Sequence, residues 1–213
     1  MHQRWCKIRL ERKFARYHMA LRRVGRATLI PTYLFNKMVG FVPLPTLHFK
    51  WWTKIIMNEI TYLKGDATSP QAKGNKIICH VCNDIGRWGK GFVMAISKRW
   101  AEPEAAYRKW YGERANNDFE LGAVQIVQVD SYVWVANMVG QRGIKTGSKG
   151  PPIRYEAVEK CLSKVSQKAT ELNASVHMPR IGCGLAGGKW SEIEPIIKKT
   201  LGEVSSGFVY DFE

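Results

Sequence analysis

Lys76-Ile77-Ile78-Cys79-His80-Val81-Cys82 runs directly into Asn83-Asp84-Ile85-Gly86-Arg87-Trp88-Gly89-Lys90-Gly91, and then into a helix-like stretch over residues 92–100. The first seven residues form a nearly continuous apolar run of strand length, the pattern of a strand buried on both faces. Glycines then punctuate a loop before the helix. Strand, glycine-rich loop and helix in that order make an anion cradle: glycine lets the backbone approach a phosphate closely, and exposed N–H groups with a helix N-terminus supply partial positive charge. A second loop of this kind, Arg180-Ile181-Gly182-Cys183-Gly184-Leu185-Ala186-Gly187-Gly188, follows a short strand over residues 174–178. Neither loop has the Walker spacing or the dinucleotide-binding glycine spacing. Two such loops at strand C-termini in one sheet can hold a diphosphate from both sides.

The rest of the chain fills in the sheet. Residues 60–63 are β-prone and end at Gly65-Asp66. Residues 103–114 read as a helix with Pro103 at its start. Residues 124–129 and 132–139 read as a hairpin across Asp130-Ser131. Residues 154–172 form the strongest helix, with Val158, Cys161, Leu162, Val165, Ala169 and Leu172 on one face. Ser191-Glu192-Ile193-Glu194 reads as a capping box opening a last helix, with Pro195 near its start, and residues 207–212 close as a strand. Repeated strand–helix alternation predicts an α/β fold with a mixed, mainly parallel sheet and helices on both faces.

Composition bounds the class. The 213 residues are 45% hydrophobic and 24% charged, with 33 Lys/Arg against 18 Asp/Glu and five cysteines. This excludes a disordered chain, a multi-pass membrane protein and a small disulfide-stapled secreted domain. An intracellular, cytoplasmic monomer is expected. The positive charge is uneven: residues 1–58 hold 12 Lys/Arg and one acid, Glu11. Met57-Asn58-Glu59-Ile60-Thr61-Tyr62 reads as the natural beginning of a folded domain, so the expected organisation is a basic extension over 1–56 and one domain over 57–213. The extension has three readings: an appended or mistranslated upstream segment, a basic arm for nucleic acid or for organelle targeting by residues 1–26, or part of the fold. Its apolar stretch over 27–47 is broken by Pro31, Pro43 and Pro45, which argues against a membrane span.

Lys64-Gly65-Asp66-Ala67-Thr68, His80-Val81-Cys82-Asn83-Asp84 and Met178-Pro179-Arg180-Ile181-Gly182-Cys183-Gly184-Leu185 together resemble the macro domain family, the ADP-ribose-binding three-layer α/β/α fold, over roughly residues 59–213. The similarity is to the branch holding the macro module of a poly(ADP-ribose)-activated chromatin remodeller and the terminal ADP-ribose protein glycohydrolase. Yeast ADP-ribose-1''-phosphate phosphatase shares the His-x-Cys-Asn run. The resemblance implies ADP-ribose, free or attached to protein or nucleic acid, as ligand, with no cofactor. It implies Asp66 as acceptor for the adenine amino group, a donor that hypoxanthine lacks, and Ala67 as a backbone donor to a ring nitrogen. Gly89, Lys90 and Gly91 would line one phosphate loop, and Gly182, Cys183, Gly184, Leu185 and Ala186 the other. Asn83 and Asp84 would meet the distal ribose. The plain alternatives are a solvated turn for Asp66 and strand-end caps for Asn83 and Asp84.

The same resemblance leaves turnover open. The glycohydrolase aspartate would fall at Ala186, and its lysine in Asn137-Met138-Val139-Gly140-Gln141; neither is present. Candidate catalytic groups are then Asp84, to orient water, and His80, which matches a phosphatase histidine, with Gln141 nearby; His80 also reads as a buried strand histidine. De-ADP-ribosylating hydrolysis, ADP-ribose-1''-phosphate hydrolysis and nucleic-acid binding through residues 1–56 therefore stand as alternatives to simple recognition. Trp88 is a candidate ligand cover. Cys79-x-x-Cys82 has half-zinc-site spacing, but in a strand the two point to opposite faces, so no metal is expected.

Overall fold

The computed structural model describes residues 60–147, 150–202 and 206–212. The readings of residues 1–56 and the boundary at 57 lie outside the described residues. The elements are β1 (Thr61–Lys64), β2 (Asn75–Asn83), α1 (Phe92–Ser97), α2 (Glu102–Gly112), a 3-10 turn (Arg114–Asn116), β3 (Val124–Asp130), β4 (Val133–Gln141), α3 (Tyr155–Leu172), β5 (Ala174–Pro179), α4 (Trp190–Leu201) and β6 (Gly207–Asp211). They build one six-stranded sheet in the order β1-β6-β5-β2-β4-β3, parallel throughout except for the β3–β4 hairpin. This is the mixed three-layer sheet that the strand–helix alternation predicts.

β2 lies between β4 and β5 and is buried on both faces, which is why its sequence is apolar almost without break. Ile77 and Cys79 join the core under α3 and α4, whereas Ile78 and Cys82 join the core under α1 and α2. The two cysteines therefore serve different layers. α3 buries Ala157, Val158, Cys161, Leu162, Val165 and Ala169 along one stripe. It ends at Asn173 in the left-handed region (φ 49°), and Asn75 Nδ2 donates to the Leu172 carbonyl at 2.6 Å.

Several element ends differ from the sequence expectation. α1 stops at Ser97 because the N–H groups of Arg99 and Trp100 both close onto the Ile96 carbonyl. α2 stops at Gly112, and residue 114 belongs to the 3-10 turn. The hairpin turns at Ser131-Tyr132, with Asp130 paired to Val133 beyond a register shift. The capping box does not form: α4 begins at Trp190, so Ser191 already lies inside its first turn. The start of the helix is secured instead by the Tyr155 hydroxyl, which accepts from the Lys189 N–H at 3.1 Å. Glu194 turns outward to the Tyr62 hydroxyl at 2.8 Å and Lys198 at 2.6 Å. Pro195 sits in the second turn, where its missing N–H removes one helical bond. No helix among the described residues is long and apolar enough to cross a membrane.

The topology makes the cleft. β2 and β5 are neighbours. The chain leaving β2 enters the α1/α2 layer, and the chain leaving β5 enters α4 in the opposite layer. Connections departing to opposite faces leave a crevice at the C-terminal edge of the sheet.

Among the described residues, one buried side-chain polar atom has no hydrogen-bond partner: the Ser166 hydroxyl, on the buried face of α3. Removing it relieves a desolvated donor and adds helix propensity. Ser166→Ala is expected to raise stability by up to about 1 kcal/mol, read as an increased urea midpoint at unchanged m-value.

Candidate functional site

Loop one is organised by a single amide. Asn83, the last residue of β2, accepts at Oδ1 from the N–H groups of Arg87 (2.9 Å) and Ile85 (3.2 Å) and donates from Nδ2 to the Arg87 carbonyl (2.5 Å). The Tyr107 hydroxyl of α2 donates to the Asn83 carbonyl at 2.5 Å. The Asn83 side chain is thus spent on shaping the loop. Gly86 has φ +69°, and a Cβ there would lie 2.2 Å from the Tyr111 ring, so the turn admits only glycine.

Loop two folds on itself. The Gly187 N–H bonds the Gly184 carbonyl at 2.9 Å and the Gly188 N–H bonds the Gly182 carbonyl at 2.8 Å. A Cβ on Gly188 would sit 2.6 Å from the Gly182 carbonyl oxygen, so this close backbone approach depends on glycine. Gly89 and Gly184, by contrast, face open space. Among the described residues the N–H groups of Gly89, Lys90, Gly184, Leu185 and Ala186 donate to no protein acceptor. The loops meet: a Cβ on Gly91 would lie 3.4 Å from Leu185 Cδ1. Leu185 is 69% exposed, whereas the Ala186 side chain is buried beneath the loop.

The start and exit of loop two are joined by one guanidinium. Arg180 forms a two-pronged pair with Asp211 (2.5 and 2.9 Å) and lies 4.8 Å from the centre of the Trp190 ring. Asp211 also accepts the Gly65 N–H at its carbonyl (2.9 Å), so the turn after β1 is tied to the same point. In that turn Asp66 Oδ1 accepts from the Thr68 N–H and hydroxyl, both at 2.8 Å, with Ala67 buried below. Phe212, 87% exposed, follows β6 directly beside this turn. The line from β1 across β6 and β5 to β2 covers three strand spacings, roughly 14 Å at about 4.8 Å each.

The predicted residues separate in this frame. Asp66, Ala67, Gly89, Lys90, Gly91, Gly182, Cys183, Gly184 and Leu185 line the edge just described. Asp84 stands beyond loop one, its Oδ1 accepting the Gly143 N–H at 2.7 Å. Gln141 is turned to the Gly143 carbonyl at 2.9 Å. Just beyond residues 137–141, Arg142 Nε lies 3.9 Å from Asp84 Oδ2. Burial raises the Cys183 thiol pKa, which disfavours its thiolate.

His80 and Trp88 take positions other than those a ligand contact requires. His80 is 2% exposed, on the α1/α2 side of β2. Its Nε2 lies 2.7 Å from Asn137 Oδ1. Asn137 Nδ2 donates to the Pro103 carbonyl and Gln125, so Oδ1 is the acceptor and His80 Nε2 carries the proton. Burial depresses its pKa to about 4, which keeps the ring neutral. The buried-strand reading therefore describes His80, and acid–base work in the cleft does not fit its position. Trp88 is buried against His80 (5.2 Å between ring centres) and bonds Ser97 through its indole N–H, so it supports loop one from below and does not cover a ligand. Arg142, Phe212, Arg180 and Tyr107 were not singled out by sequence. Only strand register places Phe212 beside Asp66, and only tertiary packing brings Tyr107 to Asn83.

A mixed, mainly parallel sheet with two glycine loops at its switch point is the arrangement in which α/β proteins bind nucleotide phosphates. The Macro domain family model matches residues 79–197, and the chain belongs to that family. A solved macrodomain protein from Streptomyces coelicolor is 58% identical, covering 72% of this chain and 99% of its own, with a TM-score of 0.65. Among curated proteins, the chromodomain-helicase-DNA-binding protein 1-like of Danio rerio is 36% identical over 67% of this chain, which spans only 14% of that relative's length. The ADP-ribose 1''-phosphate phosphatase of Meyerozyma guilliermondii is 24% identical over 67% of this chain and 94% of its own.

His177 is buried like His80, between the Ser175 and Tyr210 hydroxyls at 2.8 and 3.0 Å, and its pKa is likewise lowered by burial to about 4. In the unfolded chain both rings titrate near 6.5. The unfolded state therefore takes up protons first as pH falls. Their stabilising effect is complete above about pH 6.5 and is lost towards pH 4, on the order of 1–3 kcal/mol per ring. The urea midpoint is expected to fall across that window, and imidazole NMR at pH 6 should find both rings neutral.

Proposed function

We propose that the protein binds ADP-ribose, free or attached to a macromolecule, along the edge from Asp66 to Asp84. The observation that carries this reading is the contact between two glycine loops whose outward N–H groups are unspent, at the Gly91–Leu185 meeting point. Such donors match a diphosphate in number and charge. Asp66 takes the adenine amino group, with the Ala67 N–H beside it, and exposed Phe212 offers a face for the base to stack on. Lys90 adds charge at the rim of loop one. The distal ribose faces Asp84, while Asn83 contributes by holding the loop in shape.

A second reading, hydrolytic release of whatever the distal ribose carries, is favoured by the fixed Asp84 carboxylate at that end and by the phosphatase named among the relatives. In it Asp84 orients a water for attack. Residues 1–56, with their excess of positive charge, would add salt-sensitive contact with nucleic acid. A monomeric, intracellular protein accords with both readings.

Isothermal titration with ADP-ribose tests the main reading. Asp66→Ala is expected to weaken binding about tenfold, the value of one charge-assisted bond. Gly184→Glu, at a position open to the cleft, should abolish it. No heat with folded wild-type protein would remove the reading.

A further inference from the structure

Trp88 is gripped at both ends by one closed circuit of hydrogen bonds. Its indole N–H donates to the Ser97 hydroxyl at 2.8 Å, and that hydroxyl donates to Glu104 Oε2 at 2.9 Å. Glu104 Oε1 accepts from Arg108 Nε and Nη2 at 2.9 and 2.8 Å. Nη2 has a second N–H, and it donates to the Trp88 carbonyl at 3.3 Å. The circuit starts at the Trp88 side chain and ends at its main chain, drawing on α1 for Ser97 and on α2 for Glu104 and Arg108. It belongs to a longer stripe. Glu104, Tyr107, Arg108 and Tyr111 fall at i, i+3, i+4 and i+7 on α2, one face of the helix. All four serve loop one: Tyr107 at the Asn83 carbonyl, Tyr111 beside Gly86, Arg108 at the Trp88 carbonyl, and Glu104 through Ser97 at the Trp88 indole.

The bond to the Trp88 carbonyl fixes the donor that follows it. A trans peptide unit is planar, and its N–H is directed opposite to its carbonyl. Arg108 holds the Trp88 carbonyl on the α2 side, so the N–H of the same peptide unit, that of Gly89, points away from α2. Gly89 faces open space, and its N–H is among those that no protein acceptor takes. A charged donor on a carbonyl also polarises the amide and strengthens its N–H. We propose that Arg108 is a positioning residue of the first phosphate loop, aiming the Gly89 N–H at the diphosphate, with Glu104 holding Arg108 in place. The proposal rests on the ADP-ribose reading of the cleft. The Arg108 and Glu104 side chains are 51% and 30% exposed, and a pair of that kind at i and i+4 adds little to folding stability. The circuit therefore acts on where a loop donor points.

Isothermal titration and amide NMR of the full chain with ADP-ribose test this. Arg108→Met keeps the apolar stem and removes the donors, and is expected to weaken binding about fivefold, the net value of one hydrogen bond. Arg108→Lys should weaken it equally, because the ammonium keeps the charge but stops a bond short of Nη2 and lacks the planar fork. Glu104→Ala should also weaken binding, although removing an acid would by charge alone favour an anion. At saturating ADP-ribose the downfield shift of the Gly89 amide proton should be smaller in all three variants, while that of Gly184, on loop two, matches wild type. Wild-type affinity in Arg108→Lys, unchanged or tighter binding in Glu104→Ala, or equal loss of the Gly89 and Gly184 shifts overturns the positioning role and leaves ADP-ribose binding standing. Failure of the folded wild type to bind ADP-ribose removes the cleft reading, and the positioning role with it.

Discussion

The site depends on two adjacent parallel strands whose chains depart in opposite directions. β2 hands over to α1 and α2, and β5 hands over to α4 on the other face. Because the strands are hydrogen-bonded neighbours, the loops leaving them start on the same edge of the sheet and then diverge. Backbone donors therefore converge on a shared crevice without any side chain reaching into it. The glycines make the loops tight enough to use this arrangement, but the pairing of β2 with β5 creates it.

Rigidity beneath the loops comes from groups with no polar face towards the cleft. Asn83 spends its side-chain oxygen and one N–H inside loop one, Tyr107 braces its carbonyl, and His80 with Trp88 fills the layer below. Loop donors held by such a scaffold lose little freedom when they meet an anion, which is the energetic advantage of a preformed site. On loop two the Arg180 fork to Asp211 is exposed, so by itself it adds little to stability. Its importance is geometric, because the same guanidinium touches Trp190 at the exit of the loop.

Much of this was legible in the sequence, and the reasons differ by feature. The apolar run over residues 76–82 marked a doubly buried strand because two-sided burial suppresses alternation. The glycine loops pointed to an anion cradle only as a pair: one alone is more often a plain turn, whereas two at strand C-termini of one sheet can face a common ligand. Strand order was less accessible, since the contacts that set it are non-local. His80 shows the limit most plainly: the sequence leaves it between acid–base chemistry and a buried strand histidine, and only its enclosing neighbours Asn137 and Trp88 decide. The capping box at Ser191 failed for a similar reason, because Tyr155, 34 positions away, already serves the start of α4. Arg142 escaped notice since its relation to Asp84 exists only across the β2–β4 pairing.

β1 and β6 lie side by side and point the same way, so the turn carrying Asp66 and the residue following Asp211 emerge together. Any polypeptide continuing past Phe212 must set out from beside the Asp66 turn. A tag, linker or neighbouring module attached there would start at the doorstep of that turn, and on the proposed reading of the cleft it would be placed to obstruct or sense occupancy.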